Sequence, residues 1–165
     1  ITRIEDKEGN VLVEYFPEYR QEAISPETAY MMLDMMRGVV RGGDGYHGTG
    51  VRLRNVYNVQ QDVAGKTGTT QNSADNWFVA MMPHIVMGAW VGGEDRRIRF
   101  PTDNPNSIGQ GARTALPIVG QFINYATEDP DAPWSYDPFM PPPGFVIPED
   151  PDRNNEDSRR ERIGW

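Results

Sequence analysis

Between residues 64 and 70 the chain reads Ala64-Gly65-Lys66-Thr67-Gly68-Thr69-Thr70, placing a lysine and hydroxyls on a segment otherwise almost free of side chains. Glycine at 65 and 68 removes side chains that would hold a second backbone away, so an extended peptide could pair here through main-chain hydrogen bonds. Lys66 adds a positive charge, and Thr67 and Thr69 add hydroxyls able to bind a carboxylate. Acyl transfer needs such an anion clamp, together with a backbone N–H aimed at the developing oxyanion. Taken alone, the same stretch also suits a glycine-rich turn with a solvated lysine. The nucleophile such chemistry requires is not evident. The serines are Ser25, Ser73, Ser107, Ser135 and Ser158; none is followed by lysine three positions on or asparagine two positions on, and there is no cysteine.

Other reactive residues fit bland roles better. Gly65-Lys66-Thr67 has the end of a phosphate-binding loop, but the glycine required five residues before Gly65 is Gln60. His47 and His84 have no partner histidine at metal-ligand spacing and are expected in a loop and at a hairpin tip. Asp75 is read as a strand-start carboxylate satisfying turn backbone, and Trp77 as a core indole. Glu94, Asp95 and Asp103 are expected to face water, and Arg96, Arg97 and Arg99, scattered among acids, to be ordinary surface. The methionines at 31, 32, 35 and 36 are read as adaptable core filler.

The elements that must hold Lys66 in place are legible around it. Ile1–Glu5 and Val11–Phe16 flank the turn residues Asp6–Asn10 and read as a β-hairpin ended by Pro17. Ser25-Pro26-Glu27 supplies an N-cap, a proline at the first helical position and a first-turn acid. The helix is expected to run to about Val40, with Ala29, Met32, Leu33, Met36 and Val40 inward and Gly42-Gly43 closing it. Residues 51–59 fit a short helix or an extended connection equally. Val63–Thr70, Trp77–Met82 and Ile85–Val91, joined by short turns, read as an antiparallel run of three strands in sequence order, with Lys66 on the first. From Ala112 to Ala126 apolar residues recur at helical spacing, making a helix that can cover one sheet face; Pro117 either delays its start by a turn or kinks it.

The 165 residues suffice for one domain with a real core, but 14 prolines suggest that part of the chain is unpacked. Glu128–Trp165 holds 10 acidic and 4 basic residues, contributing −6 to the formal charge of −8, so the body is nearly neutral. The acidity reads as a solvated tail, and nothing forms a basic stripe for nucleic acid. We place the boundary near Asp129, dividing 1–128 from a Pro-rich, extended and then disordered segment, 129–165. No apolar run approaches the roughly 18 residues that span a bilayer, and Ile1-Thr2-Arg3 offers neither an initiator methionine nor a basic leader, so the chain is expected to begin within a longer protein. The absence of cysteine leaves the compartment open.

Several motifs in order give the stretch a family likeness. Ala-Gly-Lys-Thr-Gly-Thr-Thr at 64–70, Asp75-Asn76-Trp77-Phe78 and Gly88-Ala89-Trp90-Val91-Gly92 resemble the transpeptidase domain of class A, bifunctional penicillin-binding proteins. The likeness extends upstream through Ile24–Tyr30 and the opening hairpin, and downstream through Gly109-Gln110-Gly111 and Ala115-Leu116-Pro117, covering about residues 1–127.

The resemblance implies an α+β fold, an antiparallel sheet flanked by helices, in the C-terminal part of a serine-type peptidoglycan D,D-transpeptidase. It implies Lys66 and Thr69 as catalytic groups and Lys66, Thr67, Gly68 and Thr69 as the substrate-binding set. Lys66 would orient a serine outside this chain and neutralise the substrate carboxylate; Thr67 would bind that carboxylate; Gly68 would permit close approach; the Thr69 N–H would complete the oxyanion hole. The implied partners are a peptidoglycan stem peptide, β-lactams and the N-terminal part of the same domain, with no cofactor, no metal and no nucleic acid. Membrane attachment would come only through an upstream anchor, on the periplasmic face of the cytoplasmic membrane. Two other readings stay open: a non-catalytic module binding stem peptides or a partner strand, and a β-lactamase or β-lactam sensor relative.

Overall fold

The computed structural model describes residues 1–16, 22–42, 47–102 and 107–147. The expected hairpin end at Pro17, the helix-closing Gly43, the loop residue Asp103 and the charged stretch Glu149–Arg162 lie outside them. Strands β1 (Arg3–Glu5) and β2 (Val11–Glu14) form the opening hairpin. Asp6 caps its turn by accepting the N–H groups of Glu8 (3.0 Å) and Asn10 (2.8 Å). Helix α1 spans Pro26–Arg41 and α2 Arg52–Asn55. A three-stranded antiparallel sheet follows from β3 (Ala64–Thr69), β4 (Asp75–Met82) and β5 (Ile85–Gly92), in that spatial order, and α3 (Ala115–Glu128) covers it. This is the α+β arrangement expected, with β3 on a sheet edge.

The local signals at α1 work as read. Ser25 Oγ accepts the Thr28 N–H, Pro26 opens the helix, and Gly42 closes it at φ 64°, its N–H donating to Gly38 O. The direction in which the helix faces is different. Ala29, Met31, Met32 and Met35 are exposed, whereas Arg37 is buried beside Val40. A guanidinium can take this inward position because an acid meets it: Asp62 accepts from Arg37 Nε at 2.8 Å and Nη2 at 2.7 Å, and from Arg41 Nη2 at 3.0 Å. Met31, Met32 and Met35 are therefore not core filler, and Met36 is only half-buried.

The core lies between α3 and one face of the sheet. Phe78, Ala80, Met82, Met87 and Ala89 meet Leu116, Val119 and Ile123, with Val40, Leu53, Val59 and Val63 closing the side. Strand alternation explains this membership and puts Trp77 and Trp90 on the other face, in a tilted contact with ring centroids 6.5 Å apart and each 46% exposed. Trp77 is thus not a core indole. Helix α3 begins at Ala115, three residues later than Ala112. Pro117 then falls in the first turn, where its absent N–H has no intrahelical partner to lose, so no kink is needed.

Residues 129–147 contain no helix or strand but touch the body repeatedly. The Tyr136 hydroxyl donates to Ala126 O, the Phe139 N–H donates to Asp62 Oδ2 (3.1 Å), Trp134 meets Phe122 in a tilted ring contact, and Phe145 meets Tyr30 edge-on.

Candidate functional site

The backbone phase of β3 follows from one hydrogen bond. Thr70 N–H donates to Asp75 O at 2.9 Å, and the register pairs Gly68 with Trp77 and Lys66 with Val79. Antiparallel ladders alternate, so Lys66 and Gly68 spend their backbone groups on β4, while those of Gly65, Thr67 and Thr69 point off the sheet. Among the described residues no strand pairs with that edge. Gly65 is buried, so the part of the edge open to an extended chain is at Thr67 and Thr69, whose N–H groups have no partner on the sheet.

Side chains on β3 divide by the same alternation. Thr67 and Thr69 share a face with Phe78 and Asn76, whereas Lys66 leaves from the opposite face with Val79. Lys66 is exposed, and its Nζ reaches round to the Thr67 carbonyl at 2.9 Å, which brings the ammonium to the open edge. The two threonines line a hollow of about 530 Å³ with Thr49, Ser73, Thr102 and Ser107, closed by Gly109–Ala112. Among the described residues no lining side chain is charged. Lys66 is not part of this wall, so cation and hydroxyls approach the edge from different sides.

The hydroxyls are held in place. Thr67 and Thr49 share one hydrogen bond of 2.9 Å, which leaves one of their two O–H protons for a ligand. Thr69 Oγ1 accepts the Gly111 N–H at 3.2 Å, so its own proton is also available. Gly111 has little choice of side chain: a Cβ there would sit 2.4 Å from Trp77 O and 2.7 Å from Gly68 O. The glycines of β3 have a second role inside the sheet. A Cβ at Gly65 would strike the Phe78 ring at 2.9 Å, and one at Gly68 would press on Trp77 Cβ at 3.1 Å, so each also makes room for its own sheet.

Behind Thr69, the β3–β4 corner is a network. Asp75 Oδ1 accepts Trp90 Nε1–H (3.2 Å), and Oδ2 accepts Arg96 Nη2 (3.0 Å) and the Thr70 hydroxyl (3.3 Å). The Arg96 hydrogen bond, with help from Trp90 and Thr70, outweighs burial and holds the Asp75 carboxyl below its usual range. Asp75 therefore serves a tryptophan and an arginine, not turn backbone, and Arg96 is more than ordinary surface. Asp95 is likewise paired, with Arg97. Asn72 and Ser73 hold φ of 60° and 51° in this corner, a conformation costly for residues with a Cβ.

Sequence reasoning found Thr67 and Thr69 but missed Thr49, Thr102, Ser107 and the role of Gly111. The available signal was the recurrence of hydroxyls and glycines in two loops, 48–50 and 107–111, remote in sequence from β3. His47 and His84 are both exposed, in a loop and in the β4–β5 turn. Among the described residues no cluster of three acids or histidines could hold a metal ion, and no helix is long and apolar enough to cross a membrane.

With this geometry in view, the comparisons are specific. A family model described as the penicillin binding protein transpeptidase domain matches residues 3–92. Penicillin-binding protein 1A of Aquifex aeolicus is 37% identical over 130 residues, 77% of this chain and 15% of that protein. Penicillin-binding protein 1A of Neisseria flavescens is 31% identical over 153 residues, 88% of this chain and 17% of the relative. The chain thus spans about one sixth of the length of these curated relatives. A crystal structure of penicillin-binding protein 1A from Haemophilus influenzae superposes with a TM-score of 0.57 at 22% identity, covering 86% of this chain and 24% of that one, and so shares its fold.

Proposed function

Because this chain belongs to the penicillin-binding protein transpeptidase domain family, we propose that its β3 edge grips the acyl-donor peptide of a serine-type peptidoglycan D,D-transpeptidase. The observation that carries this reading is the unpaired edge of Thr67 and Thr69, set over a hydroxyl-lined hollow and rimmed by Lys66 Nζ. The D-alanyl-D-alanine carboxylate would take the free hydroxyl protons of the Thr67–Thr49 pair and of Thr69, with Lys66 supplying charge. Gly68 would keep the approach clear, and the scissile carbonyl oxygen would lie at the Thr69 N–H. A serine outside this chain attacks that carbonyl, the terminal D-alanine leaves with its amine protonated, and the acyl group passes to an amine of a neighbouring strand. β-Lactams would occupy the same edge. The reading places residues 1–128 in the transpeptidase and 129–165 as an acidic appendage, with the working enzyme on the outer side of the cytoplasmic membrane.

Two assays test the proposal on the purified chain. Thr67→Val should weaken binding of an N-acyl-D-Ala-D-Ala peptide about tenfold, as expected for a lost hydrogen bond to a charged group, and Lys66→Ala should act in the same direction. Fluorescent penicillin should leave no covalent adduct, since the Ser-x-x-Lys nucleophile motif is absent from the sequence. Unchanged peptide affinity in both variants refutes the grip, and stoichiometric labelling refutes the assignment of the nucleophile to another segment.

A further inference from the structure

A second hollow, of about 560 Å³, opens where β3 ends, and Thr69 forms a wall of both hollows. Its other walls include Thr70, Gln71, Asn72, Arg96 and Arg99. Arg96 is already paired with Asp75. Arg99 is exposed and makes no hydrogen bond or ion pair with any described residue. Its backbone is nevertheless fixed, because the neighbouring Phe100 N–H donates to Ser73 O at 3.0 Å and ties this segment to the β3–β4 corner. In a chain of formal charge −8, this hollow has a cation with no counter-charge among the described residues, flanked by the amides of Gln71 and Asn72. Among the described residues the first hollow has no charged lining.

Resting on the donor-grip reading above, the direction of the peptide connects the two hollows. A carboxylate at Thr67 and a scissile carbonyl at Thr69 make the donor run antiparallel to β3. The residue before D-Ala-D-Ala then lies about 3.3 Å further on, over Thr70, at the mouth of the second hollow. We propose that Arg99 is a specificity-determining residue, selecting acyl-donor peptides whose residue immediately before D-Ala-D-Ala carries a free side-chain carboxylate. Gln71 and Asn72 would supply the additional hydrogen bonds to that carboxylate.

The experiment compares acetyl-Glu-D-Ala-D-Ala with acetyl-Gln-D-Ala-D-Ala, isosteres that differ by one charge, in binding to the full chain. The Glu peptide should bind about fivefold more tightly at low salt, the scale of an exposed ion pair, and the preference should shrink as salt is raised. Arg99→Gln should abolish the preference without changing affinity for the Gln peptide, and Arg99→Lys should restore part of it. Equal binding of the two peptides by the unmodified chain, or a preference that survives Arg99→Gln, overturns the assignment and leaves the donor grip standing. If neither peptide binds, the donor grip fails and this inference falls with it.

Discussion

Asp62→Ala is expected to lower the stability of the chain by about 3–5 kcal/mol, the usual cost of removing one partner from a buried ion pair. Asp62 and Arg37 side chains are each only 10% exposed, and their contact is bidentate. Removing the carboxylate leaves Arg37 inside the fold with only Asp34 Oδ1 at 3.0 Å and a long contact to the Tyr30 hydroxyl at 3.4 Å. It also strips the Phe139 N–H of its acceptor, so the 129–147 segment loses an anchor in the same step. Burial pushes the Asp62 carboxyl up, but the Arg37 hydrogen bond, the Phe139 N–H and the charges of Arg37 and Arg41 together hold it below its ordinary value. A carboxyl depressed on folding stabilises above its unfolded pKa, about 3.9. That contribution should therefore be complete near neutrality and disappear as pH falls below about 4. Urea unfolding at pH 7 and in acid checks both parts: a loss under about 1 kcal/mol at pH 7, or one that persists undiminished in acid, contradicts the account.

Gly111→Ala is the second large effect. The added methyl would meet Trp77 O and Gly68 O, backbone atoms locked in the β3–β4 ladder, so the 109–112 loop has to move instead. Overpacking of this kind costs about 1–3 kcal/mol. Two contacts go with the loop, the Gly111 N–H to Thr69 Oγ1 and the Leu116 N–H to Gly111 O at 2.9 Å that starts α3. The Thr69 hydroxyl then loses its fixed orientation, and peptide affinity should fall about tenfold beyond anything the stability loss explains, since binding is measured on folded protein. Gly88→Ala is the control, because a Cβ there meets nothing within 4 Å. Equal peptide affinity in the two variants contradicts a positioning role for Gly111.

Much of this fold is written in short-range signals. Ser25-Pro26-Glu27 opens α1 and Gly42 closes it, as capping chemistry requires, and short turns on either side of β4 force the β3-β4-β5 order that puts Lys66 on an edge strand. What failed was orientation. The apolar spacing of α1 pointed the methionines inward, but the face that meets the sheet contains Arg37, four residues after Leu33 and three before Val40, made tolerable chiefly by the bidentate contact with the distant Asp62, with Asp34 assisting. A charged residue inside an otherwise apolar stripe was the available clue.

Alternation on a strand has the same ambiguity, since period two does not say which side is buried. Trp77 sits on the outer face beside Trp90 although its apolar bulk suits a core position equally, and the space left by Gly65 accommodates Phe78. The site itself was half legible. Thr67 and Thr69 announced themselves on β3, while Thr49 and Gly111 joined them through loop closures that no local pattern encodes.

The most direct test of the β3 edge as a peptide grip is amide chemical-shift mapping of the isotope-labelled chain titrated with an N-acyl-D-Ala-D-Ala peptide. The largest shifts should fall on the Thr67 and Thr69 amides, which point off the sheet, and on Gly111, while Lys66 and Gly68, bonded to β4, move less. Shifts concentrated on the Trp77–Trp90 face or on α3, with Thr67 and Thr69 unmoved at saturating peptide, would contradict the account.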